Sequence, residues 1–149
     1  MGFFDALKSV TNMVTGGGAT LSLVIGARSP NGSYPAEIKA EIADGDLKVE
    51  KVYLSVEGYE TVKIKMKKDG QTDAREENFH ETTFKTEINV VPAQTFPKKT
   101  SHKWEATITL PPDVQPTYTG KNATHEWRAY AGLSVTGTDP ASSWVVFKV

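Results

Sequence analysis

Two runs of strict apolar–polar alternation, joined by a proline-rich loop, leave this chain few ways to fold. The first run puts Trp104, Ala106, Ile108 and Leu110 on one face; the second puts Trp127, Ala129, Ala131, Leu133 and Val135 there. Alternation with period two marks strands that bury one face. Pro111 and Pro112 end the first run, because proline has no N–H to give a ladder. The register of the second run is pinned by its own chemistry. A slip of one residue would expose Trp127 and bury Arg128, which otherwise points away from the core with Tyr130 and Ser134.

The same periodicity governs most of the chain. Leu21, Leu23, Ile25 and Ala27 alternate, and Ser29-Pro30-Asn31-Gly32 signals a turn. Ile38, Ala40 and Ile42 follow, then a tight turn at Asp44-Gly45-Asp46. Val52, Leu54 and Val56 share a face, as do Val62, Ile64 and Met66, and later Phe84, Thr86, Ile88 and Val90. Residues 68–81 are polar and charged and read as a long loop. After breaks at 92–97 and 134–143, Trp144–Val149 is a last strand. About eight or nine short strands at this spacing predict an antiparallel β-sandwich.

Only residues 1–15 read as helix. Phe3, Phe4, Leu7, Val10 and Val14 fall at helical spacing, with Asp5, Lys8, Ser9 and Asn12 on the other side. The glycines at 16, 17 and 18 stop it, making 16–20 a flexible joint and 21–149 the sandwich. This amphipathic helix either packs on its own sandwich or a second subunit, or docks on a partner or a membrane surface. Its single Lys8, balanced by Asp5, is poor in the basic residues that membrane-surface helices carry.

Several short motifs resemble the arrestin N-terminal-type domain, in particular the bacterial sporulation-control branch of that clan. They are Leu110-Pro111, the loop Pro116-Thr117-Tyr118-Thr119-Gly120, and Trp127-Arg128-Ala129-Tyr130-Ala131-Gly132-Leu133, with Asp139-Pro140 before the last strand. Tyr34-Pro35-Ala36-Glu37 is similar to a clan pattern that carries Gly where Ala36 stands, so a different local turn is expected there. The resemblance covers roughly residues 21–149. It implies an immunoglobulin-like sandwich that works by protein interaction, as an adaptor or scaffold in signalling, stress or sporulation control. Clan members commonly carry two sandwiches; this chain has length for one, as a single-domain protein or half of a pair.

Composition narrows the chemistry. The net charge is −1, from 17 basic and 18 acidic residues, which gives no field to recruit nucleic acid. There is no cysteine, hence no disulfide, thiolate nucleophile or Cys-ligated metal, and this fits a cytoplasmic protein. His80, His102 and His125 match no metal-ligand spacing and read as surface or rim histidines. No nucleophile elbow or phosphate-cradling glycine loop occurs. The expectation is therefore a non-enzyme without cofactor or metal.

The sharpest local feature is the row Lys63, Lys65, Lys67 and Lys68. Alternation sets the first three on one outward face within about 14 Å. Such a row binds phosphate-bearing peptides or anionic headgroups, or guards an exposed sheet edge against aggregation. With Phe3, Phe4 and Leu7 these lysines are the candidate interaction residues. The partner is an unidentified protein, a membrane surface being the lesser alternative. Self-association through the helix or a sheet edge is also open.

Overall fold

The computed structural model describes residues 14–16, 18–67, 70 and 75–149. Within them the chain is all-β. In chain order the strands are β1 (Val14–Gly16), β2 (Ala19–Ile25), β3 (Tyr34–Ile42), β4 (Leu47–Val49), β5 (Lys51–Met66) and β6 (Arg75–Val91). They continue as β7 (Gln94–Phe96), β8 (Ser101–Ile108), β9 (Tyr118–Thr119), β10 (Ala123–Ser134) and β11 (Val145–Phe147). One antiparallel sheet runs β1-β2-β3-β8; the second runs β11-β10-β5-β6, with β9 added beside β10. The short pair β4-β7 closes one end with the buried Val49 and Phe96.

The two sheets bury the faces that alternation singles out. Leu21, Leu23, Ile25, Ile38, Ala40 and Ile42 from the first sheet meet Val52, Leu54, Val56, Trp127, Ala129, Ala131 and Leu133 from the second. Ala129 and Ala131 stand opposite Val56 and Leu54, small against branched, in a register pinned over twelve residues from Ala123↔Val62 to Ser134↔Lys51. Trp127 is fully buried, among Phe84, His125 and Phe147, and its Nε1 donates to the Gln115 carbonyl at 2.7 Å. Ala36 lies in regular strand, buried between Ile25 and Ala106; no turn is built there.

Four expectations change. The 68–81 segment is not a loop throughout, because Arg75–Glu81 is the first part of β6 and pairs with Glu60–Met66. Its polarity reflects a strand with little to bury. The glycine-rich joint is a tight β-hairpin: Gly16 pairs with Ala19, and Gly18 turns at φ +104°, a conformation other residues rarely adopt. Val14 and Thr15, the expected end of the helix, are strand; the rest of that helix, with Phe3, Phe4 and Leu7, lies outside the described residues. His125 is not at the rim but fully buried.

Trp127→Ala should cost about 3–5 kcal/mol, the usual penalty for emptying an aromatic site in a packed core. A urea midpoint close to wild type would show that the end of the sandwich collapses onto the gap.

Candidate interaction site

The outer face of the second sheet is the first surprise. Val52, Leu54 and Val56 face the core, yet their outward neighbours Tyr53, Ser55 and Glu57 are buried as well. The segment after β10 folds back over them. Gly132 bridges Ala141, Leu133 N–H donates to the Pro140 carbonyl, and Ser142 Oγ accepts from Ala131 N–H at 2.9 Å. Asp139 ties the cover down through the Tyr53 hydroxyl, which donates at 2.9 Å, and through Val135 N–H at 3.0 Å. Burial, and then the bond to Asp139, push the Tyr53 hydroxyl pKa well above the usual tyrosine range. Gly132 is required here, because a Cβ would run into the Tyr53 ring.

Arg128 is the hub of this face. It stands opposite Glu57 in the register, and its Nε and Nη2 reach the same carboxylate oxygen at 2.7 and 2.5 Å. Its guanidinium lies 4.3 Å from the ring centres of both Tyr59 and Trp144. Tyr59 in turn stacks on His80, and Tyr130 meets Trp144 edge-on. The side chain that alternation alone sends to solvent is thus clasped between two aromatic rings. Sequence reading missed this because Glu57 is 71 residues away and no local signal joins the two.

Beyond this ladder the strands β5 and β6 run on as an arm. β10 ends at Ala123, opposite Val62, and Lys63 N–H makes a last bond across to the Asn122 carbonyl at 2.7 Å. From Ile64 onward β5 pairs only with β6 among the described residues. The arm has two distinct faces. Lys63 and Lys65 share one with Asn78 and Glu76, and Lys63 Nζ lies 3.9 Å from Glu76. Lys67 follows just past the strand end, exposed; Lys68 is outside the described residues. Of the arm's carboxylates only Glu76 shares this face among the described residues; Glu60, Glu77 and Glu81, with Arg75, stand on the other.

The other face continues the core side of the sheet past the end of the sandwich. Val62 and Phe79 stand opposite each other, with Ile64 and Met66 following. Ile64 and Met66 are 42% exposed and Phe79 48%, values that show the opposing sheet no longer covers them. At the root of the arm Tyr118 stacks on His125 and donates its hydroxyl to Glu60 at 3.0 Å, which raises the Tyr118 pKa. His125 Nδ1 donates to the Pro116 carbonyl at 3.1 Å, leaving Nε2 to accept from the Thr83 hydroxyl at 2.6 Å. Nδ1 thus holds the loop after β8 against the sheet, and Nε2 ties β10 to β6. No group of three or more metal-ligating side chains occurs among the described residues.

Two expectations follow. Arg128→Ala should cost about 3 kcal/mol, the low end for breaking a largely buried pair, because Glu57 would be left without its partner. Thermal unfolding that ranks Arg128→Ala level with Lys48→Ala would remove the clasp from the account. Changing Lys63, Lys65 and Lys67 together to Glu should cost under about 1 kcal/mol, since exposed pairs contribute little. A larger loss would make the row structural.

No family model and no curated protein sequence matches the chain. Among solved structures the fold is similar to that of Spo0M, a sporulation control protein from Bacillus subtilis. The TM-score is 0.61 at 18% sequence identity, over 89% of this chain and 49% of that one. This chain therefore spans about half the length of the neighbour. The likeness is one of fold, and it is the sandwich that the resemblance to the sporulation-control branch implies.

Proposed function

We propose that the chain is a non-enzymatic regulatory interaction module that engages a protein partner through the β5–β6 arm. The observation that carries this is the exposure of Ile64, Met66 and Phe79 on one face of strands whose outer backbone edge is unpaired among the described residues. Apolar side chains on a sheet face are normally covered, and an open strand edge is a template for an added strand. A partner strand laid along β6 would satisfy the edge and shelter Phe79 together. On the face that carries Ile64, Met66 and Phe79, Glu60, Glu77 and Glu81 outnumber Arg75, an acidic balance that argues for a protein over an anionic membrane, which recruits through an excess of Lys and Arg. Control of sporulation, the role for which Spo0M is named, is the regulatory setting this reading favours.

A photo-crosslinking residue in place of Phe79 tests it in cells. The expected result is a discrete protein adduct that disappears when Ile64 and Met66 are changed to Ser, while the melting temperature stays within a few degrees of wild type. Adducts to lipid alone, no adduct at position 79, or an equal yield from a probe at Lys48 would each sink the proposal.

A further inference from the structure

The edge of β6 at the root of the arm carries more than the exposure of Phe79. A cleft of about 420 Å³ opens beside Thr83 and Phe84, walled by Pro111, Asp113 and Val114 of the loop after β8. Its volume is that of pockets that take a ligand. Phe84 and Val114 are half-buried and Pro111 is exposed, so the cleft offers apolar surface to whatever enters it. Thr83 is the extra residue of a bulge: Gly58 stands opposite Phe84, and the next residue of β5, Tyr59, stands opposite Thr82. Beside the cleft the outer backbone edge of β6 is unpaired among the described residues. A strand added there would send its inward side chains over Phe79 and, past the bulge, into the cleft.

The charges on that face are unbalanced. Glu60 and Glu81 stand directly opposite each other, and neither makes an ion pair among the described residues. Like charges in that position destabilise a sheet, so their retention calls for an explanation. Asp113 at the cleft has no cation among the described residues either. Glu77, on the other side of Phe79, has only the exposed Arg75 at 3.8 Å. These carboxylates are not gathered as ligands for a metal. They are spread along one strand and alternate with apolar side chains: Glu77, Phe79, Glu81, then Phe84 beyond the bulge. A second strand with the complementary alternation matches them. A second copy of this chain does not supply it, because two β6 edges paired antiparallel about Phe79 would set Glu77 against Glu81.

We propose that the β6 edge takes an extended basic peptide segment. A large apolar residue of that segment covers Phe79, Lys or Arg two positions to either side meets Glu77 and Glu81, and a second apolar residue fills the cleft at Phe84. This rests on the reading of the arm as a protein-binding edge and adds the chemistry of the partner. Backbone bonds along the edge supply affinity, and the alternate side chains supply the selection. Exposed ion pairs contribute little each. The apolar residues therefore carry most of the binding, while the carboxylates choose among strands and speed association.

Selection of a phage-displayed random-peptide library on the folded full chain tests it. Amide hydrogen exchange and fluorescence polarisation then follow with a synthetic peptide of the enriched sequence. The enriched peptides should alternate apolar residues with Lys or Arg, and the synthetic one should slow exchange across residues 77–84. Glu81→Lys sets a cation opposite Glu60, so it leaves the fold intact, and it should weaken binding about ten-fold. Serine in place of the peptide's cleft residue should weaken it at least as much. Added salt should weaken binding to the wild type more than to Glu81→Lys. Peptides that protect β6 without basic residues, or that bind Glu81→Lys equally well, would overturn the partner chemistry while leaving the arm as a binding edge. Protection confined to other strands, or no enriched sequence, would overturn it too, and the crosslink at position 79 then decides whether the edge binds any protein. Slower β6 exchange as the chain alone is concentrated would make the occupant a second copy, against the proposal.

Discussion

The Trp127 indole is the contact on which the rest of this fold depends. It stands opposite Gly58 on β5, which in turn stands opposite Phe84 on β6, and the Trp127 and Phe84 ring centres lie 5.5 Å apart. The same ring touches Phe147 on β11, and its N–H holds the Gln115 carbonyl in the loop after β8. Four segments distant in sequence therefore meet at one side chain. Gly58 has to be small for this, because a Cβ would come within 2.7 Å of Thr83 Oγ1 and 3.2 Å of the His125 ring. The irregularity in pairing between Gly58 and Tyr59 is what turns Thr83 toward His125.

That arrangement explains which parts of the fold can be read from the residues. Wherever one face is buried and the other reaches solvent, alternation reports it faithfully, as in Leu21–Ile25 and Ile38–Ile42. It fails where burial fails. Residues 75–81 have no core to meet, so their sequence is that of a loop while their backbone is that of a strand paired to β5. Periodicity fails in the opposite way at Tyr53, Ser55 and Glu57, where a later segment covers the outer face and makes polar positions interior. The lysine row is legible as a row, but the Glu76 that faces it is placed by strand pairing alone. The exposed apolar side chains of the arm depend on where the opposing sheet stops, and no local pattern encodes that.

The clasp on Arg128 and the bareness of the arm have a common origin. β5 is long, and along its sixteen residues the environment changes from doubly covered to uncovered. At Tyr53–Glu57 the 135–144 segment shields the outer face and the opposing sheet shields the inner one. A charge survives there only because Arg128 and Glu57 satisfy each other between aromatic rings. By Ile64 both covers have ended, and the strand keeps its shape through pairing with β6 alone. Two-stranded ribbons are marginal in isolation. The arm is held because its root is anchored by Tyr118 on Glu60, by Tyr59 on His80 and by Thr61 Oγ1 bonded to His80 Nδ1 at 3.1 Å. A stiff root with an unsheltered end transmits little of what happens at the end into the core. Surface changes on the arm can therefore alter binding without unfolding the sandwich, and the core can stay conservative while the arm specialises.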